Sequence, residues 1–124
     1  MVVAGDLTVL ICDDDAGNRR LARRMLLRIG CSRISEAESG RDCLEQVKHE
    51  EFDLLLLDIS MPVLSGFDVC RMLRSSEAGR RMRIVACTAY ASPADQGRFW
   101  SAGFDFVLKK PFLIDDMRRA IGAS

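Results

Sequence analysis

Leu54-Leu55-Leu56-Leu57-Asp58-Ile59-Ser60-Met61-Pro62 is the stretch on which the reading of this chain turns. Four successive apolar residues fit a strand covered on both faces, as strands are in a parallel sheet flanked by helices. Asp58 then stands where the strand emerges at a loop. Two further apolar runs end in the same manner: Leu7-Thr8-Val9-Leu10-Ile11-Cys12 meets Asp13-Asp14-Asp15, and Phe106-Val107-Leu108 leads to Lys110-Pro111. A fourth, Ile84 to Cys87, leads to Thr88, and the alternating Arg33-Ile34-Ser35-Glu36-Ala37 suits an edge strand.

Helical spacing fills the intervals. Leu21, Met25, Leu26 and Ile29 recur three and four apart before Gly30, a residue suited to ending a helix. Ser39 with Asp42 resembles a capping box, and Ser92-Pro93 supplies an N-cap with proline at the first helical position. A third helix carries Phe67, Val69, Cys70 and Leu73, a fourth Phe99 and Trp100, and a fifth runs from Leu113 to Ile121; Ser75 to Arg81 reads as a mobile loop. The order βαβαβαβαβα predicts a doubly wound three-layer α/β domain. Right-handed crossovers bring the C-terminal ends of parallel strands to one sheet edge, so Asp13, Asp14, Asp58, Thr88 and Lys110 are expected to converge there.

With 124 residues the chain is expected to form one domain, its core spanning about residues 7–121, with no output domain and no linker. Eighteen basic residues balance eighteen acidic ones, so no overall field favours nucleic acid or anionic membrane. The local cluster Arg19, Arg20, Arg23, Arg24 and Arg28 reads as a solvated helix face rather than a polyanion site. Cys12, Cys31, Cys43, Cys70 and Cys87 contain no C-x-x-C pair and read as small core residues of a reducing compartment. The N-terminal residues have neither the basic region nor the apolar length of a signal peptide or membrane span, so the expected location is the cytoplasm.

Carboxylates bunched at one sheet edge repel one another, a cost relieved by a hard divalent cation, Mg²⁺ or Mn²⁺, among their oxygens. Such an ion attracts a phosphoryl group. Lys110 and the Thr88 hydroxyl are placed to meet further phosphoryl oxygens, which leaves an aspartate as nucleophile. Asp13 to Asp15, taken alone, would equally serve as a turn capping the first helix.

At this point the residues carry a resemblance. Asp13-Asp14, the segment Asp58-Ile59-Ser60-Met61-Pro62-Val63-Leu64-Ser65-Gly66, Thr88-Ala89 and Lys110-Pro111-Phe112 resemble, in order and spacing, the receiver domains of two-component response regulators. The resemblance implies a flavodoxin-like five-stranded parallel sheet of order 2-1-3-4-5. It implies that Asp58 accepts phosphate from a histidine kinase or histidine phosphotransfer protein. Asp14, Asp58 and the Ser60 carbonyl are then metal ligands with Asp13 assisting, Lys110 holds the phosphoryl group, and Thr88 moves toward it. A downstream protein target would read the shift of conformation. The implied protein catalyses only its own phosphorylation and dephosphorylation, and is not an enzyme with a conventional substrate. A phosphohydrolase usually carries a second acid two residues after its nucleophile, where this chain has Ser60.

The chain departs from the family where Val107 stands three positions before the lysine, the usual place of an aromatic switch residue. Phe106 is adjacent but on the opposite strand face, so the readout is expected to differ. Tyr90, two residues past Thr88, is expected to flank the path of water to an acyl phosphate and slow its loss. His49 reads as a solvated helix-end residue. Phe99 and Trp100 read as core unless exposed, when they would mark a docking surface. The competing function is an interaction domain that keeps the fold without being phosphorylated; failure to bind Mg²⁺ would favour it.

Overall fold

The computed structural model describes residues 3–90 and 92–122. Five strands, β1 (Thr8–Cys12), β2 (Arg33–Ala37), β3 (Leu54–Asp58), β4 (Arg83–Thr88) and β5 (Phe106–Lys109), form one parallel sheet of order β2-β1-β3-β4-β5. Helices α1 (Ala16–Ile29), α2 (Gly40–His49), α3 (Gly66–Arg74), α4 (Glu77–Arg80) and α5 (Gln96–Ala102) lie in the connections between them, and α6 (Ile114–Ile121) follows β5.

Alternate residues of the central strands face opposite layers. Leu10, Leu55, Leu57, Ile84 and Ala86 pack with Cys43 and Val47 of α2, Phe67, Val69 and Leu73 of α3, and Phe99 of α5. Val9, Ile11, Leu54, Leu56 and Val85 pack with Leu26 of α1 and Met117, Ala120 and Ile121 of α6. Because β3 lies between β1 and β4 and is covered on both faces, all five of its residues are buried. Val107 packs against the first cluster and Phe106 against the second, as their alternation requires.

Local chemistry sets the helix ends. Gly30 adopts φ 117°, and its N–H and that of Cys31 donate to Leu26 O, closing α1 with a left-handed cap. The Ser39 hydroxyl accepts from Asp42 N–H at 3.0 Å. Ser92 is an N-cap with Pro93 in the first turn, as expected, but of a 3₁₀ turn, Pro93–Asp95, that leads into α5, and its hydroxyl donates to the Asp95 carboxylate instead of accepting from a backbone N–H. The expected loop from Ser75 to Arg81 is also corrected. Ser76 caps the one-turn helix α4, and Arg74 fastens it by donating to the carbonyls of Gly79, Met82 and Gly103 and to Asp105.

All five cysteines are buried free thiols. Phe99 is core, whereas Trp100 is about half exposed. Arg20, Arg24 and Arg28 form the solvated face of α1, but Arg19 and Arg23 do not belong to it, since both pair with Glu36 of β2. No helix among the described residues is long and apolar enough to cross a membrane.

Candidate functional site

The sheet register explains why residues distant in sequence meet. Cys12 lies opposite Leu57, Asp58 opposite Cys87, and Thr88 opposite Lys109. The residues just beyond these pairs, Asp13, Asp58, Thr88 and Lys110, therefore occupy neighbouring positions along one edge. Asp13, Asp58 and Thr88 are 5, 6 and 5% exposed and are the buried polar residues among the described residues.

Lys110 Nζ donates to Asp58 Oδ1 at 3.1 Å and to Asp13 Oδ2 at 3.2 Å. Asp14 is exposed, yet it brings an oxygen within 4.8 Å of oxygens of Asp13 and Asp58. One ammonium thus faces three carboxylates. Burial raises the Asp58 carboxyl above its ordinary value and the Asp13 charge raises it further, against the opposing pull of Lys110. Burial works to lower the Lys110 ammonium, but Asp58 and Asp13 outweigh it and hold its proton more tightly.

A cleft of about 370 Å³ opens over this cluster, lined by Asp13, Asp14, Asp58, Ser60, Ala89 and Lys110 among others. Oxygen donors without nitrogen or sulfur suit a hard cation such as Mg²⁺ and ill suit zinc or copper. An uncompensated carboxylate among them is the condition such an ion relieves.

The loop after β3 is folded tightly against the site. Leu64 N–H donates to Pro62 O at 2.8 Å around Val63, whose φ of 70° makes this a strained γ-turn. The chain then returns so closely that a Cβ on Gly66 would lie 2.5 Å from Asp58 O and 2.8 Å from Ile59 Cα. Gly66 is what lets the capping box of Ser65 and Asp68 start α3 there.

The structure brings Asp13, Asp14, Asp58, Ser60 and Lys110 to one cleft. Thr88 sits at the same edge, but its hydroxyl is engaged by the loop that follows: it donates to Tyr90 O and accepts from Tyr90 N–H, both at 3.0 Å. The Tyr90 side chain is exposed. Three contributors were missed by sequence reasoning. Arg19 and Glu36 looked like ordinary surface charges, and only strand pairing puts them behind Asp13; Gly66 was visible as a glycine after Ser65, but its close approach to Asp58 was not.

The profile of the family described as "Response regulator receiver domain" matches residues 9–122. The chain is 37% identical over 118 residues to the sensor histidine kinase AruS of Pseudomonas aeruginosa, covering 94% of this chain and 12% of that protein. It is 37% identical over 117 residues to the response regulator MprA of Mycobacterium leprae, covering 94% of this chain and 50% of that protein. The chain therefore spans half or less of either relative. Among solved structures, the chemotaxis protein CheY4 of Vibrio cholerae is similar with a TM-score of 0.86 and 25% identity, covering 94% of this chain and 96% of that one. The receiver domain of a sensor histidine kinase from Pseudomonas aeruginosa PAO1, solved with a magnesium ion coordinated in its active site cleft, has a TM-score of 0.82 and 29% identity, covering 94% and 98%. Domains of this kind bind Mg²⁺ at an acidic pocket, and the order of strands, the acidic cluster and the matched length agree that this chain belongs to the response regulator receiver domains of two-component signalling.

Proposed function

We propose that Asp58 is the phosphoryl acceptor of this receiver domain. The donor is a phosphohistidine on a histidine kinase or histidine phosphotransfer protein, and the phosphorylated form binds a downstream protein target. The observation that carries this reading is the Lys110 ammonium bridging Asp58 and Asp13 at the mouth of an acidic cleft.

Asp13, Asp14, Asp58 and the Ser60 carbonyl would hold the cation. When bound, Mg²⁺ supplies the positive charge that offsets both the carboxylates and the incoming phosphoryl oxygens. An Asp58 oxygen attacks phosphorus, the donor's N–P bond breaks, and its electron pair returns to the imidazole nitrogen. Lys110 needs only to exchange its contact with Asp58 for one with a phosphoryl oxygen, while it keeps Asp13. Thr88 must leave the Tyr90 backbone to donate to the same group, which links phosphorylation to the loop after β4. Val107, not an aromatic side chain, lies on the adjoining strand, so that loop is the proposed start of the readout. NMR shifts on phosphorylation should be large at 88–95 and at Lys110, which meets the phosphoryl group, and small over the rest of 104–112.

The unit is proposed to act as a single domain with its core at about 7–121. It would turn over no substrate beyond its own acyl phosphate and would recognise protein rather than nucleic acid or membrane. Its five buried thiols support a reducing, cytoplasmic setting. The direct test uses a histidine phosphotransfer domain labelled on its histidine. Transfer should convert the label to a base-labile acyl phosphate on this chain, and retention of the label on histidine with several such donors would contradict the reading.

A further inference from the structure

The polar groups of Asp13 are each held by a defined partner. Its N–H donates to Ala37 O at 3.1 Å, Oδ1 accepts from Asp15 N–H at 2.9 Å, and Oδ2 accepts from Lys110. Its carbonyl accepts from Arg19 Nη1 at 2.7 Å. That carbonyl belongs to the peptide joining Asp13 to Asp14. Asp14 makes no side-chain hydrogen bond or ion pair among the described residues, so its direction is inherited from that peptide.

Arg19 is itself fixed. Its Nε donates to Glu36 Oε1 at 3.0 Å, and its side chain is 15% exposed. The other Glu36 oxygen accepts from Arg23 Nε at 2.9 Å, and Arg23 Nη2 donates to Ile34 O at 3.1 Å. The Arg23 hydrogen bond, then that of Arg19, holds the Glu36 carboxyl below its ordinary value against the effect of burial. A planar guanidinium with donors on two sides can span Glu36 and the Asp13 carbonyl together, which a lysine ammonium cannot reproduce.

We propose that Arg19, oriented by Glu36, is a positioning residue for the divalent cation, fixing the Asp13–Asp14 peptide and through it the Asp14 carboxylate. This rests on the reading that Asp13, Asp14 and Asp58 hold the ion. The proposal opposes simple electrostatics. Removing a positive charge beside an acidic cluster should tighten Mg²⁺ binding by Coulomb's law, whereas loss of a positioning contact should weaken it about tenfold or more, as losses behind metal ligands do.

The test is calorimetric titration of the whole chain with Mg²⁺ at fixed ionic strength, comparing wild type with Arg19→Met, Arg19→Lys and, as a charge control, the exposed Arg20→Met. Both Arg19 variants should bind Mg²⁺ about tenfold or more weakly, and Arg20→Met should bind as tightly as wild type or tighter. Acyl phosphate labelling should show the loss in the Mg²⁺ concentration needed for half-maximal rate, with the saturated rate retained. Should Arg19→Met not fold in a urea titration, Arg19→Lys decides, because it keeps the charge and loses only the bridge. Wild-type affinity in the folded Arg19 variants would overturn the proposal. Absence of Mg²⁺ binding by wild type would overturn the metal reading itself and this proposal with it.

Discussion

Asp58→Asn should make the folded chain more stable when divalent cations are removed. Asp58 has carboxylate oxygens of Asp13 and Asp14 within 4.8 Å and the Lys110 ammonium at 3.1 Å. At an effective dielectric of about 20, the two repulsions together cost about 7 kcal/mol and the Lys110 attraction offsets about 5, leaving roughly 1.5 kcal/mol unfavourable. Burial of the ionised group adds to this, which is the direction in which its carboxyl is shifted. Scaled by about 2.1 cal/mol/K per residue over the chain, the gain corresponds to roughly 6 °C in Tm. The pH dependence carries the sign. A raised folded-state value means that the fold prefers the neutral acid, so the wild type loses stability as pH rises from the ordinary aspartate value of about 3.9 through the folded-state value. The advantage of Asp58→Asn should be complete at pH 7 and vanish below the ordinary value. Urea unfolding with a chelator at pH 7 and pH 3 measures both limits, and adding Mg²⁺ should narrow the gap at pH 7 by stabilising the wild type more. An asparagine variant no more stable than wild type at pH 7 would refute the claim that Asp58 sits in an under-compensated anionic cluster.

Val63 holds a positive φ while 90% exposed, so its conformation is strained and no burial offsets the strain. Val63→Gly should therefore raise stability by about 1 kcal/mol, and a loss on thermal melting would contradict the strain. Glu36→Gln should lower stability at pH 7 by up to about 1 kcal/mol, its ion pairs being only partly buried. Because the Glu36 value is depressed, this contribution is present above the ordinary glutamate value of about 4.3 and is lost as pH falls through the folded-state value. Acid titrations of the two proteins should accordingly converge. Tyr90→Gly should shorten the half-life of the phosphorylated form several-fold by opening the approach of water, and an unchanged decay rate would remove Tyr90 from that role.

The apolar run Leu54 to Leu57, ended after four residues by Asp58 and the turn before Pro62, suited a short strand buried on both faces, and it forms the central strand β3. The pairing of carboxylates and lysine was legible for a related reason: parallel strands with right-handed crossovers leave few places for their C-terminal residues to go. Gly30 and Ser39 disclosed helix ends because their signals are local. What escaped depends on contacts across sequence. Arg19 and Arg23 look identical to Arg20 and Arg24 until β2 brings Glu36 beside them. The polar segment after Ser75 looks like a loop until Arg74 gathers its carbonyls. The orientation of the Thr88 hydroxyl, set by the backbone two residues later, has no sequence signature.

The central claim is that Asp58 accepts a phosphoryl group with the help of a divalent cation. Its most direct test is the intact mass of the chain after incubation with Mg²⁺ and a small acyl phosphate, or with a phosphorylated histidine phosphotransfer domain. The account predicts one added phosphoryl group on the wild type and none on Asp58→Asn or in the presence of a chelator. Addition that persists in the asparagine variant, or none from either donor, would contradict it and favour a domain that binds its partners without phosphorylation.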